Sequence, residues 1–216
     1  MTALITPQEI IDGAHAVKAV TQAVPGMKAA VSEVLQYWVT DPIRFARSKA
    51  NLERAFEMAE KMAEGKKRVE DISCKQAEKV IEACIGEDRE ELQKLWAAML
   101  ARIMTGNEQA IRSDIVDVVK KFEPRDALVL KYIFSIAEEK SKFELSSSHI
   151  RTYMSIEDGN KMDDDDISLS FENLFYCACI KHNNSAYLST GTFIEGAVYR
   201  LTARGTKIME AVNPNI

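Results

Sequence analysis

Residues 90–104 read EELQKLWAAMLARIM. Leu92, Leu95, Trp96, Met99, Leu100, Ile103 and Met104 fall at i, i+3, i+4, i+7, i+8, i+11 and i+12, an unbroken apolar stripe at the helical period. Glu87, Asp88, Glu90 and Glu91 stand at its start and Arg102 near its end, which suits the helix dipole. Gly106 then supplies a stop. The spacing predicts a helix over 90–104, with Trp96 as a core anchor between helices.

Upstream the same period recurs with short interruptions. Ile10, Ile11, Ala14 and Val17 form one stripe, and Met27, Ala30, Val31, Val34, Leu35 and Trp38 a second, separated by Pro25-Gly26. Asp41-Pro42 breaks the chain again, with the proline at a first helical position behind an aspartate cap. Leu52, Ala55, Phe56, Ala59 and Met62 make a third stripe ending near Gly65, and Ala77, Val80, Ile81 and Cys84 a fourth closed by Gly86. Ile111, Ile115, Val118, Val119 and Phe122 describe one more amphipathic helix. Helices joined by such short turns predict an all-α bundle over residues 1–122.

After Pro124 the pattern changes. Arg125 to Ala137 is apolar almost all round, the mark of a helix buried at a junction. Phe143-Glu144-Leu145 is a short extended piece, and Ser146-Ser147-Ser148 offers cap hydroxyls to a brief helix through His149, Ile150, Tyr153 and Met154. A polar loop over 157–166 leads to a helix carrying Leu169, Leu174, Phe175 and Ala178, then an extended run from Cys179. Residues 185–196 are turn-rich. Ala197 to Leu201 alternates as a strand, and Thr202 caps a last helix. The order helix, strand, helix, helix, strand, wing, strand, helix predicts a winged-helix-like α+β domain over 123–216, so the whole chain reads as mainly α.

Composition narrows the function classes. The chain of 216 residues is 46% hydrophobic and 28% charged, with 9 Gly and 5 Pro, the profile of a folded globular protein. Lys+Arg number 28 against Asp+Glu 33, a net of −5, so no basic excess announces nucleic acid. Residues 122–216 hold 10 basic and 14 acidic side chains, and Asp163-Asp164-Asp165-Asp166 precedes the candidate recognition helix, where carboxylates oppose phosphate. Arg151, Lys181 and Arg200 are the candidates for nucleic-acid contact. Residues 1–8 lack the cationic start of a signal peptide, and the longest uncharged stretch, 182–194, is full of Asn, Ser, Thr and Gly, so no spanning helix is expected. Cys74, Cys84, Cys177 and Cys179 all lie in apolar-periodic segments and read as buried thiols of a reducing compartment, the cytoplasm.

Chemistry-bearing patterns are sparse. The four-Asp run lacks the spacing and turn glycine of a calcium loop and reads as a helix cap. Cys177-Ala178-Cys179 with His182 nearby falls short of the four ligands of a zinc site. His15, His149 and His182 sit in no recognisable catalytic signature, and no phosphate-cradling glycine motif occurs. Arg44, Arg47, Lys49 and Arg54, and the run Lys66-Lys67-Arg68, lie among Glu53, Glu57, Glu60, Glu64 and Glu70 and read as solvated faces rather than anion sites. The sequence therefore predicts no catalytic, cofactor-binding or metal-binding residues, and no small-molecule substrate.

Five segments carry a family resemblance. Residues 87–101, EDREELQKLWAAMLA, resemble the acidic "EL..LWA.LLA" core motif of the Abi-alpha family, and Phe122-Glu123-Pro124-Arg125-Asp126-Ala127 resembles its "LSP.DA.IL" junction. Ser168 to Ile180 with Tyr199 to Gly205 is similar to its closing "SL.NL..LGLI … Y.LT..G" pattern, and residues 14–31, with Ala-Val-Pro, are similar to its start. Phe175-Tyr176-Cys177-Ala178-Cys179-Ile180 stands where the family has a Leu-Gly-Leu-Ile-like turn. The resemblance implies a bacterial protein linked to abortive infection, a phage-resistance response, with no agreed catalytic residues to carry over.

Two functions are therefore expected in competition. One is a non-enzymatic phage-defence protein acting by protein contact or self-association; the other is a winged-helix DNA-binding regulator. A basic strip along the wing and third helix favours the second, and an apolar or mixed surface the first. Membrane association through the amphipathic helices of residues 10–38 is a third option, with ordinary core packing the stronger reading of those stripes.

Overall fold

The computed structural model describes residues 42–69, 74–107, 111–139, 143–144, 149–153, 163–182 and 198–213. The stripes of residues 10–38, the Ser146–Ser148 caps, the loop before Asp163 and the 185–196 wing lie outside the described residues. So do the Asp41 cap, His15 and the early family-like segment.

The protein is mainly helical with one small antiparallel sheet. Its described elements are α1 (Pro42–Met62), α2 (Cys74–Gly86), α3 (Glu90–Met104), α4 (Ser113–Val119), α5 (Pro124–Glu139), β1 (Phe143–Glu144), α6 (Asp164–Tyr176), β2 (Ile180–His182), β3 (Val198–Leu201) and α7 (Ala203–Val212). A further helical turn spans 149–153. Two compact units result, one from Met1–Val116 with Ala211–Ile216 and one from Asp117–Glu210.

In the first unit α1, α2 and α3 pack against one another. The predicted stripes are its core: Leu52, Ala55, Phe56 and Ala59 on α1, Ala77, Val80, Ile81 and Cys84 on α2, and Leu92, Trp96, Met99, Leu100 and Ile103 on α3 are all buried. The third helix is more than amphipathic, however. Gln93, Ala97, Ala98, Ala101 and Arg102 are buried too, Leu95 is only half-buried, and water meets α3 fully only at Glu90 and Lys94. Small side chains at 97, 98 and 101 let neighbouring backbones close around it.

The end of α3 is a Schellman motif. The Asn107 N–H donates to the Arg102 carbonyl at 2.9 Å and the Gly106 N–H to that of Ile103 at 3.2 Å, with Gly106 at φ +78°. The predicted helix over 111–122 is shorter than its apolar period. Ile111 and Phe122 are buried but flank α4, because three-residue turns tighten the chain after Val119 and Pro124 has no N–H to extend it.

The second unit sets α5 and α6 beside the sheet, whose order is β1-β3-β2 with both pairs antiparallel. The α5 helix is not buried all round: Ala127, Val129, Leu130 and Ile133 are buried, Leu128, Tyr132, Phe134 and Ile136 are half-buried, and Lys131 and Ser135 keep one edge wet. An aromatic chain builds the core between α6 and the strands. Tyr199 meets Phe171 edge-on at 5.2 Å and His182 at 4.6 Å, and His182 meets Phe175 at 5.6 Å.

Candidate functional site

Helix α6 is fastened at both ends and along its inner face, which fixes what its outer face presents. At the start, Asp163 is the N-cap: its Oδ1 accepts the Asp166 N–H at 2.8 Å, and Asp166 Oδ2 lies 3.5 Å from the Asp163 N–H, a reciprocal capping box. Carboxylates are favoured at this positive end of a helix, which accounts for much of the four-Asp run. Asp166 also pairs with Arg125, and Asp164 with Arg151.

At its end α6 repeats the motif that closes α3. The Cys179 N–H donates to the Leu174 carbonyl at 2.8 Å and the Ala178 N–H to that of Phe175 at 2.9 Å. Ala178, at φ +54°, occupies the left-handed position where the resembled family motif has glycine. The predicted helix through Ala178 therefore stops at Tyr176, and the sharp turn survives without the glycine.

The turn is then clamped by the start of α7. The Thr202 N–H donates to the Cys179 carbonyl at 3.0 Å, and the Thr202 hydroxyl donates to the Ala178 carbonyl at 2.5 Å while accepting the Gly205 N–H at 3.1 Å. A Cβ at Gly205 would run into the Cys179 carbonyl oxygen. These contacts give the Tyr199-to-Gly205 sequence its physical meaning: Thr202 caps, and Gly205 admits the neighbouring backbone.

Along the inner face, Ile167, Ser170, Phe171 and Leu174 are buried. Asn173 ties α6 to the start of α5, donating from Nδ2 to Asp126 Oδ2 at 2.5 Å, with the Lys121 carbonyl also 3.0 Å away. Asp126 Oδ2 further accepts the Glu123 N–H at 2.8 Å, so the junction motif is half of a capping box with Pro124 at the first helical position. Burial raises the Asp126 carboxyl above the ordinary carboxylate range, against the opposing pull of these hydrogen bonds.

The opposite face of α6 carries Asp165, Leu169, Glu172 and Tyr176 at i, i+4, i+7 and i+11, all exposed. Leu169 is 63% exposed and Tyr176 80%, the large apolar side chains that remain in water among the described residues. Leu169 is one of the apolar residues that mark this helix in the sequence, but the buried register runs through Ile167 and Phe171, half a turn away. Lys121 Nζ lies 5.8 Å from the Tyr176 ring centre, while Asp165 and Glu172 make no ion pair among the described residues.

The three sequence-predicted cations are not brought together as a strip. Lys181 and Arg200 are register partners on adjacent strands and both exposed, whereas Arg151 is engaged by Asp164. Of the basic clusters, Lys49 reaches Glu53 at 4.0 Å, Arg68 reaches Glu60 at 3.5 Å and Arg54 donates to Gln93 Oε1 at 3.2 Å. Burial pushes the thiols of Cys84 and Cys177 up and that of Cys179 up to about 12, so all three are protonated and poorly nucleophilic at neutral pH. Among the described residues no group of three or more His, Cys, Asp or Glu is placed to hold a metal ion, and no helix is long and apolar enough to cross a membrane.

A polar cluster in the first unit escaped sequence reasoning. Asn51 donates from Nδ2 to the Ile85 carbonyl at 3.2 Å, and Gln93 Nε2 donates to the Glu87 carbonyl at 2.6 Å. The Glu87 carboxylate takes Arg89 Nε at 2.7 Å and the Arg89 N–H at 3.1 Å. It locks α1 to the α2–α3 turn. The signal was Gln93 standing in line with Ala97 and Ala101, a second buried row beside the apolar one.

Fold and faces together define a two-unit, mainly helical protein in which the large apolar side chains exposed among the described residues lie on one acidic helix face. The family model for Abortive infection alpha (Abi_alpha) matches residues 47–212, and the chain belongs to that family. No curated protein and no solved structure matches it.

Proposed function

We propose that this chain is a bacterial abortive-infection protein that acts by protein contact rather than catalysis, its Asp117–Glu210 unit being a winged helix turned to that use. Family membership supports the biological setting. The element order from α5 to α7 and the strand order β1-β3-β2 support the winged-helix reading. Burial of the Cys84, Cys177 and Cys179 thiols argues against these cysteines as nucleophiles.

The observation that carries the contact reading is the outer face of α6. In a winged helix this is the surface that would meet the DNA groove, and here it offers Leu169 and Tyr176 in alternation with Asp165 and Glu172. Carboxylates repel phosphate, whereas exposed apolar and tyrosine side chains on a rigid helix suit a protein partner.

The test is phage challenge of a bacterial host expressing the chain. Wild type is expected to lower phage yield, and Leu169→Ser with Tyr176→Ser to remove most of that protection at equal protein level. Undiminished protection by the double variant overturns the reading.

A further inference from the structure

We propose that the outer face of α6 docks a cationic amphipathic helix of a partner protein, one that places two apolar side chains about two turns apart between Lys or Arg residues. This rests on the protein-contact reading above and adds the chemistry of the partner.

The charges of α6 are answered unevenly. On its flank, Asp164 and Asp166 are each met by an arginine of the chain itself, Arg151 and Arg125. On the outward face, Asp165 and Glu172 have no such counter-ion among the described residues, although they alternate along it with the exposed Leu169 and Tyr176. Those two apolar side chains stand seven positions apart, about 10 Å along a helix axis. A partner that fills this face has to present two matching apolar anchors and cations beside them.

Charge also excludes other occupants. A second copy docking antiparallel by two-fold symmetry, with Leu169 of each chain against Tyr176 of the other, would bring the two Glu172 carboxylates together at the axis. DNA and an anionic membrane meet the same repulsion. A basic helix instead gains steering and register from the acids and affinity from the apolar pair, with tyrosine a frequent anchor of such contacts.

The probe is a fluorescein-labelled synthetic helix of leucines and lysines in amphipathic array, titrated with the full chain and read by anisotropy. Two control peptides replace Lys by Glu and Leu by Ser. Wild type is expected to bind the Leu/Lys peptide saturably, more weakly at about 0.15 M salt than at low salt, and to ignore both controls. Leu169→Ser with Tyr176→Ser should weaken binding by about tenfold or more. Asp165→Asn with Glu172→Gln should weaken it several-fold and flatten its salt dependence. Both pairs are surface changes, and unchanged circular dichroism verifies the fold.

Equal binding by wild type and both variants, equal binding of the Glu peptide, or no binding overturns the proposal. So does a wild-type dimer that the Leu169/Tyr176 variant converts to monomer in sedimentation, because the occupant is then a second copy. If the peptide test fails while that variant still abolishes phage protection, the contact reading stands and only the cationic chemistry falls. If the variant protects like wild type, the contact reading itself falls.

Discussion

Two single residues carry opposite lessons about stability. Trp96 is 1% exposed in the middle of α3, with the buried Leu92, Met99 and Leu100 within a helical turn of it in sequence, and its indole N–H has no hydrogen-bond partner among the described residues. Its contribution is therefore packing alone. Truncating such a side chain costs about 3–5 kcal/mol, a large share of the stability of a domain this size. Trp96→Ala should lower the melting temperature sharply or leave the protein insoluble, with Leu92→Ala and Leu100→Ala following in the same direction by less. A Trp96→Ala protein that melts like wild type contradicts the packing assignment. Ala178 is the reverse case. A non-glycine residue in the left-handed region carries about 1–2 kcal/mol of steric cost, part of which is recovered through its stiffer unfolded chain. Ala178→Gly should stabilise the protein by roughly 0.5–1 kcal/mol in denaturant unfolding, and a destabilised variant would show that the turn is unstrained.

At the scale of elements, the helices were legible where period and stop agreed. The spacing of Leu92 to Met104 with Gly106 behind it predicts α3, and the helix occupies that span. Legibility failed where a side chain departs from its usual habit. Ala178 closes α6 in a conformation associated with glycine, so the apolar period ran two residues too far. Leu169 faces water although it is apolar, while Asn51, Gln93 and Asp126 are buried although they are polar, each with a partner distant in sequence (Ile85, Arg54 and Asn173) that no local pattern reveals. Asp126 also yields a pH prediction. Burial raises its carboxyl in the folded chain, so the folded state holds that proton more tightly than the unfolded state. Its contribution to stability is fully present below the ordinary carboxylate value and is lost as pH rises through the raised one. The stability of wild type relative to Asp126→Asn should therefore decline from acidic to neutral pH, measured by urea unfolding at each pH. A difference that stays flat, or grows with pH, refutes the raised carboxyl.

For the whole molecule, the question is whether the Asp117–Glu210 unit, with its charge, can hold duplex DNA. Residues 122–216 carry four more acidic than basic side chains, and the helix that would enter a groove turns Asp165 and Glu172 outward. Of the three cations in a position to help, Arg151 is neutralised by Asp164, which leaves Lys181 and Arg200 side by side on the sheet. Two phosphate contacts give a salt slope of only about −2, against six to ten contacts in proteins that depend on backbone neutralisation. Non-specific affinity at about 0.15 M salt should therefore be too weak to retard a duplex. In a gel-shift assay with random-sequence duplex, wild type is expected to leave the probe free, and Lys181→Ala with Arg200→Ala to behave identically. Sub-micromolar, salt-sensitive retardation that the double variant abolishes would return the unit to the DNA-binding class. The acidic face of α6 would then need a groove-avoiding mode of docking, with the sheet edge rather than the helix against the phosphates.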